Sequence, residues 1–123
     1  MDVQVLGAAN EVGRSGFLVD CNGTKLLLDY GVMFGRRGSP PQYPLHVKPK
    51  DLDAIIITHA HLDLSGNVPS LFVSGNTDVY ATPPTFDLSK LFKSISAFDI
   101  ASIDAATANC EFLASLLDSF LSI

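Results

Sequence analysis

The apolar run Ala54-Ile55-Ile56-Ile57 leads straight into Thr58-His59-Ala60-His61-Leu62-Asp63, and this junction constrains the fold more than any other feature. Three consecutive isoleucines favour a buried strand covered on both faces. Metal-capable side chains then arrive where that strand ends, the edge at which α/β sheets place their chemistry. On an extended segment His59 and His61 project the same way, and Asp63 shares their parity if the chain stays extended that far. Two imidazoles and a carboxylate converging there suit a borderline-soft ion such as zinc. A polar loop holding no ion is the plain alternative. The spacing differs from the helical H-E-x-x-H arrangement, so the geometry must come from a strand end and a loop.

Upstream of the junction, strand signals dominate. Val3, Val5 and Leu6 open a strand that stops at Gly7, and Gly7 to Gly16 reads as a loop of small residues whose three glycines permit tight turns. That loop lacks both the Gly-Lys-Ser/Thr ending of a phosphate loop and the G-x-G-x-x-G spacing. Phe17-Leu18-Val19 and Lys25-Leu26-Leu27-Leu28 flank Asn22-Gly23, a strong hairpin signal, and the second strand delivers Asp29 at its end. Residues 30–50, with prolines and glycines throughout, form a long irregular excursion of the kind that covers or serves a site.

Downstream, a short helix is expected within Asp63–Val73, with Ser65 able to cap it and Pro69 early in a second turn. Val79-Tyr80-Ala81 makes another strand, and Thr82-Pro83-Pro84 opens a helix across Thr85–Leu91 with Thr82 as its cap. The predicted sheet therefore uses residues 2–6, 16–21, 24–28, 54–57 and 78–81, with helices on one side. Residues 92–123 have a character of their own. Ala105, Ala108, Phe112, Leu113, Leu116, Leu117, Phe120 and Leu121 recur at helical spacing, which predicts an amphipathic helix over about 104–120. Its apolar stripe has to pack on the sheet, on a protein partner or on a second copy.

Composition narrows the classes. A chain of 123 residues, 47 % apolar and 17 % charged, is one globular domain at most, with a modest core. No apolar run is long enough to span a membrane, and the start Met1-Asp2-Val3 reads as no secretory signal, so a cytoplasmic location is expected. Cys21 and Cys110 read as isolated reduced thiols, neither in a C-x-x-C pair. The net charge is -5, and residues 61–123 hold two basic against seven acidic groups. A chain gripping nucleic acid by itself normally shows a basic stripe. Arg14, Arg36, Arg37, Lys48 and Lys50 read instead as solvated loop charges.

Several segments taken together resemble a known family. Thr58-His59-Ala60-His61-Leu62-Asp63 is similar to the second motif of the metallo-β-lactamase superfamily, and Asp29 matches the first. Leu6-Gly7-Ala8-Ala9-Asn10-Glu11-Val12-Gly13-Arg14-Ser15, Asp29-Tyr30-Gly31 and Tyr80-Ala81-Thr82-Pro83-Pro84-Thr85 are more restrictive. They resemble archaeal β-CASP ribonucleases related to the endonuclease of messenger RNA 3′-end processing. The likeness covers about residues 1–91, as the N-terminal part of a metallo-β-lactamase-like domain, and leaves 92–123 as a divergent tail. It implies an α/β (α+β) fold, half of an αββα sandwich. It also implies two zinc ions and RNA as substrate. His59 and His61 would hold the first zinc, Asp63 would serve the second zinc and the catalytic chemistry, and Asp29 would support the site through hydrogen bonds. A hydroxide between the metals would attack the scissile phosphorus. Two departures stand out. Leu64 occupies the position of a second-metal histidine, and the later histidine and aspartate motifs are not found among these residues. The chain therefore reads as a truncated relative, inactive by itself, or as an interaction module docking through its C-terminal helix.

Overall fold

A computed structural model describes residues 1–73 and 77–95. The helix expected over 104–120, Cys110 and the divergent tail beyond Ile95 lie outside the described residues. Five strands form one sheet in the order β1-β2-β3-β4-β5: β1 (Asp2–Gly7), β2 (Gly16–Cys21), β3 (Thr24–Tyr30), β4 (Ala54–Ile56) and β5 (Asp78–Tyr80). The first three pair antiparallel, and β3, β4 and β5 pair parallel. This is the expected mixed α/β architecture, with one sheet of the sandwich present among the described residues. None of their helices is long and apolar enough to cross a membrane.

The β2–β3 hairpin follows from its turn chemistry. Asn22 and Gly23 take φ of 52° and 90°, the left-handed pair that matches the twist of two-residue hairpins. The parallel half needs crossovers, supplied by residues 31–53 and by the segment holding α1 (Leu62–Ser65) and a 3-10 turn at Val68–Val73. The irregular excursion is less featureless than its composition suggests. Met33 and Gln42 exchange backbone hydrogen bonds, and Pro49–Asp51 makes one 3-10 turn before β4.

Cross-strand register sorts the side chains into two faces. Leu18, Leu27, Ile55 and Val79 lie in one row across the sheet. This row is packed by Val47 and Leu52 from the excursion and by Val68 and Leu71 from the 3-10 turn, the main core of the molecule. α1 packs against β3 and against α2 (Pro83–Ile95). The helix expected over Thr85–Leu91 is thus longer at both ends. Its two prolines sit in the first turn, where they remove no helical hydrogen bond. Thr82 contributes its carbonyl to the Phe86 N–H, while its hydroxyl donates to the Thr85 hydroxyl at 2.9 Å.

Candidate metal centre

Asp29 is placed by a backbone irregularity. Gly16 pairs with Tyr30 but Phe17 pairs with Leu28, so Asp29 is the extra residue of a bulge, and its φ is 56°. Aspartate tolerates this left-handed region better than most residues, and a bulge re-aims a side chain at a strand end. The buried Asp29 carboxylate (4 % exposed) crosses to the end of β4. There Oδ1 accepts the Thr58 N–H and Oδ2 the Thr58 hydroxyl, both at 2.8 Å. Burial pushes the Asp29 carboxyl above its ordinary value, while the Thr58 hydrogen bonds pull in the opposite direction.

Thr58, a member of the motif, has a positioning role in the structure. Its hydroxyl donates to Asp29, and the same oxygen lies 3.4 Å from His59 Nδ1. A proton on Nδ1 would point at Thr58 and leave Nε2 as the ligand-forming nitrogen, the way a carboxylate behind a histidine sets its tautomer. His59 Nε2 stands 3.2 Å from His61 Nδ1, with the rings 4.8 Å apart and edge-to-face. Both imidazoles are exposed. Two nitrogens each about 2.0–2.1 Å from one tetrahedral zinc lie about 3.3 Å apart. The pair therefore fits two corners of one zinc coordination shell.

Asp63 stands differently. The extended parity ends at His61, whose φ and ψ of -59° and 143° lead directly into α1, so Asp63 lies in a helical turn. Among the described residues no group of three or more His, Cys, Asp or Glu side chains is arranged to hold a metal. His46, the remaining histidine of the sequence, is exposed in the excursion, and Leu64 sits half-buried on α1. The two imidazoles fit zinc as a partial donor set, and no chemical step is routed through a metal on their strength.

The loop carrying the pair is fastened from behind. The Ser15 N–H donates to Asp63 O at 2.9 Å, Val32 N–H to Leu62 O at 2.9 Å, and Asn67 N–H to Tyr30 O at 2.8 Å, while Gly31 N–H donates to Ser15 O at 2.8 Å. Gly31 is required by this closeness, since a Cβ there would stand 1.7 Å from Asp63 O and 2.1 Å from its carbonyl carbon. Ser65 does not cap the start of a helix, as expected above, but ends α1. Its fully buried hydroxyl lies 3.0 Å from Ala60 O and 3.1 Å from His61 O. Sequence reasoning missed this clamp because backbone hydrogen bonds carry no side-chain signature. The small residues Gly31 and Ser15 were its only trace.

Comparison with known proteins adds lineage. Residues 11–101 match the family model of the metallo-β-lactamase superfamily. The chain is 44 % identical over 103 residues to the transcription termination factor FttA of Methanosarcina mazei, covering 80 % of this chain and 16 % of that protein. It is 41 % identical over 86 residues to ribonuclease TTHA0252 of Thermus thermophilus, covering 69 % and 20 %. It is 37 % identical over 84 residues to RNase aCSPSF2 of Saccharolobus solfataricus, covering 68 % and 17 %. The chain thus spans between 16 % and 20 % of the length of these three relatives.

Proposed function

The chain belongs to the metallo-β-lactamase superfamily, and we propose that its residues form the front half of a zinc-dependent phosphodiesterase site of the β-CASP ribonuclease kind, with RNA as the substrate class. The observation that carries this reading is the 3.2 Å approach of His59 Nε2 to His61 Nδ1 at the carboxyl end of β4. Two relatives bear the name ribonuclease or RNase, which supports RNA over other phosphodiesters. The net charge of -5 gives RNA no help, so a grip on the polyanion would have to come from elsewhere.

Roles follow from position. His59 and His61 would hold the ion, Thr58 would orient the His59 ring, and Asp29 would fix Thr58. Asp63 is assigned to a second ion and to the catalytic chemistry by resemblance. Zinc, when bound, would supply a hydroxide at neutral pH and stabilise the charge that develops on phosphate. Structural and catalytic zinc sites use three or four protein ligands, and the pair supplies two. Leucine at position 64 offers no lone pair. The 123 residues by themselves are accordingly proposed to bind zinc weakly and not to turn over.

Calorimetric zinc titration beside an RNA-cleavage assay tests this. Weak zinc binding and no cleavage by either the natural chain or Leu64→His are the expected results. Chelator-sensitive RNA cleavage by the 123-residue chain, abolished by His59→Ala, would overturn the inactive reading and put the enzyme first.

A further inference from the structure

Charge in this chain is segregated more sharply than its net value shows. Residues 30–50 hold four basic groups and no acidic one, while the rest of the chain holds four basic against thirteen acidic. Position divides the four. Lys48 and Lys50 precede β4, at the opposite end of that strand from His59. Arg36 and Arg37 lie on a closed loop that starts beside the metal loop. The Val32 N–H donates to Leu62 O at 2.9 Å, and the next residue, Met33, exchanges both backbone hydrogen bonds with Gln42 at 2.9 Å each. The tip is a turn of defined shape. Ser39 N–H donates to Arg36 O at 2.8 Å, and Gly38 takes a φ of 93°, the left-handed conformation that the third position of a type II turn requires. Both arginines are exposed, and neither forms an ion pair among the described residues. Arg14, by contrast, is occupied by Glu11 and by Tyr43 O.

Two exposed aromatic residues flank the neck of this loop. Phe34 follows Met33 and Tyr43 follows Gln42, and they are 61 % and 46 % exposed. Strand alternation sets both on the face of the neck away from Met33, whose side chain lies against Gly13. As diagonal neighbours across a two-stranded neck, their Cβ atoms stand about 7–8 Å apart. That gap admits one flat ring between two others at contacts of about 3.5 Å.

We propose that the loop from Met33 to Tyr43 binds single-stranded RNA, with Arg36 and Arg37 on phosphates and a base between Phe34 and Tyr43. Cationic side chains beside aromatic ones grip single strands without reading their sequence, and the donor fork of arginine suits phosphate. A duplex would keep its bases from the rings, whereas an unpaired strand offers them. The Met33–Gln42 pair and the Gly38 turn hold the loop in shape beforehand, which lowers the cost of ordering it on binding. The site would supply a grip that the net charge denies. The choice of RNA rests on the function proposed above, but binding at the loop needs no metal.

Fluorescence anisotropy of a short labelled oligoadenylate with the full chain, in chelator at low salt, tests the loop apart from the metal. Binding is expected, and its affinity should fall as salt rises. On a single strand each neutralised phosphate contributes about -0.7 to the slope of log K against log salt, so Arg36→Gln combined with Arg37→Gln should flatten that slope by about 1.4. Phe34→Ala or Tyr43→Ala should weaken binding about five-fold or more and leave the slope unchanged. Lys48→Gln combined with Lys50→Gln removes the same charge elsewhere and should also leave the slope unchanged. No binding by the natural chain, an equal flattening in the lysine and arginine variants, or full affinity in both aromatic variants would each overturn the proposal. Zinc binding without oligoadenylate binding would sink the loop alone, and oligoadenylate binding without zinc binding would sink the metal site alone.

Discussion

The loop from Thr58 to Asn67 is built one way behind and another way in front. Behind, its carbonyls at Ala60, His61, Leu62 and Asp63 are engaged by the Ser65 hydroxyl and by N–H groups from its own turn, the β1–β2 loop and the end of β3. Gly31 lies there in near-contact with the Asp63 backbone. In front, His59 and His61 are exposed, with His59 Nδ1 beside the Thr58 hydroxyl and the two rings beside each other. The difference teaches that backbone bonds, and not only the imidazoles, hold the loop in shape. A scaffold that holds its ligands through backbone can present them already paired, since buried polar groups are satisfied before any ligand arrives.

Gly31→Ala is the strongest way to break that arrangement. The added methyl would stand 1.7 Å from Asp63 O and 2.7 Å from Leu64 N, both backbone atoms with no flexible end to yield. Separating β3 from α1 should cost on the order of 3–4 kcal/mol or prevent folding, read as lost amplitude or a large fall in Tm by circular dichroism. A variant melting within a few degrees of the natural chain would show the back of the loop to be softer than its hydrogen bonds imply.

Ser65→Ala probes the same side more gently. The hydroxyl is fully buried and bridges Ala60 O and His61 O. His61 O keeps the N–H groups of Leu64 and Ser65, so the loss should be about 1 kcal/mol in urea denaturation.

Most of the scaffold was legible from local signals, and the clamp was not. Isoleucine runs and the Asn22-Gly23 turn located the five strands to within two residues at each end, because pleated-sheet packing and positive φ each leave a compositional mark. The His59–His61 pairing was legible from period-two alternation. Where that alternation ends stayed open at Asp63, because Leu62-Asp63-Leu64-Ser65 is equally able to extend or to turn, and the partners that turn it, Ser15 and Val32, lie far away in sequence. Ser65 was misplaced for the same reason, since a serine after a polar run serves either end of a short helix. The bulge at Asp29 was likewise invisible, since the register shift arises from the Gly16–Tyr30 pairing and from no residue of its own.

Asp29 sits between the two sides, and its protonation offers a finer test. Burial raises its carboxyl above the ordinary 3.8 against the pull of Thr58. The folded chain therefore holds this proton to higher pH than the unfolded chain does. The stability it contributes is complete below the unfolded value and is lost as pH climbs through the folded pKa. Denaturation of the natural chain and of Asp29→Asn at a series of pH values should show the natural chain losing ground relative to the variant above 3.8, then running parallel. A difference growing in the other direction would mean that the Thr58 hydrogen bonds outweigh burial.

The smallest stability change belongs to the front of the loop, and it sharpens the comparison most. His59 is exposed, its nearest polar partners are Thr58 Oγ1 at 3.4 Å and His61 Nδ1 at 3.2 Å, and Thr58 keeps both bonds to Asp29 without it. Exposed substitutions of this kind usually fall within about 0.5 kcal/mol, so His59→Ala should melt with the natural chain when no zinc is added. Any zinc-induced rise in Tm, which mass action produces for a ligand of the folded state alone, should disappear with the imidazole. A rise retained by His59→Ala but lost in His61→Ala would move the ion off the pair. Destabilisation of His59→Ala on the scale of Gly31→Ala would erase the distinction between a backbone-held loop and the side chains it presents.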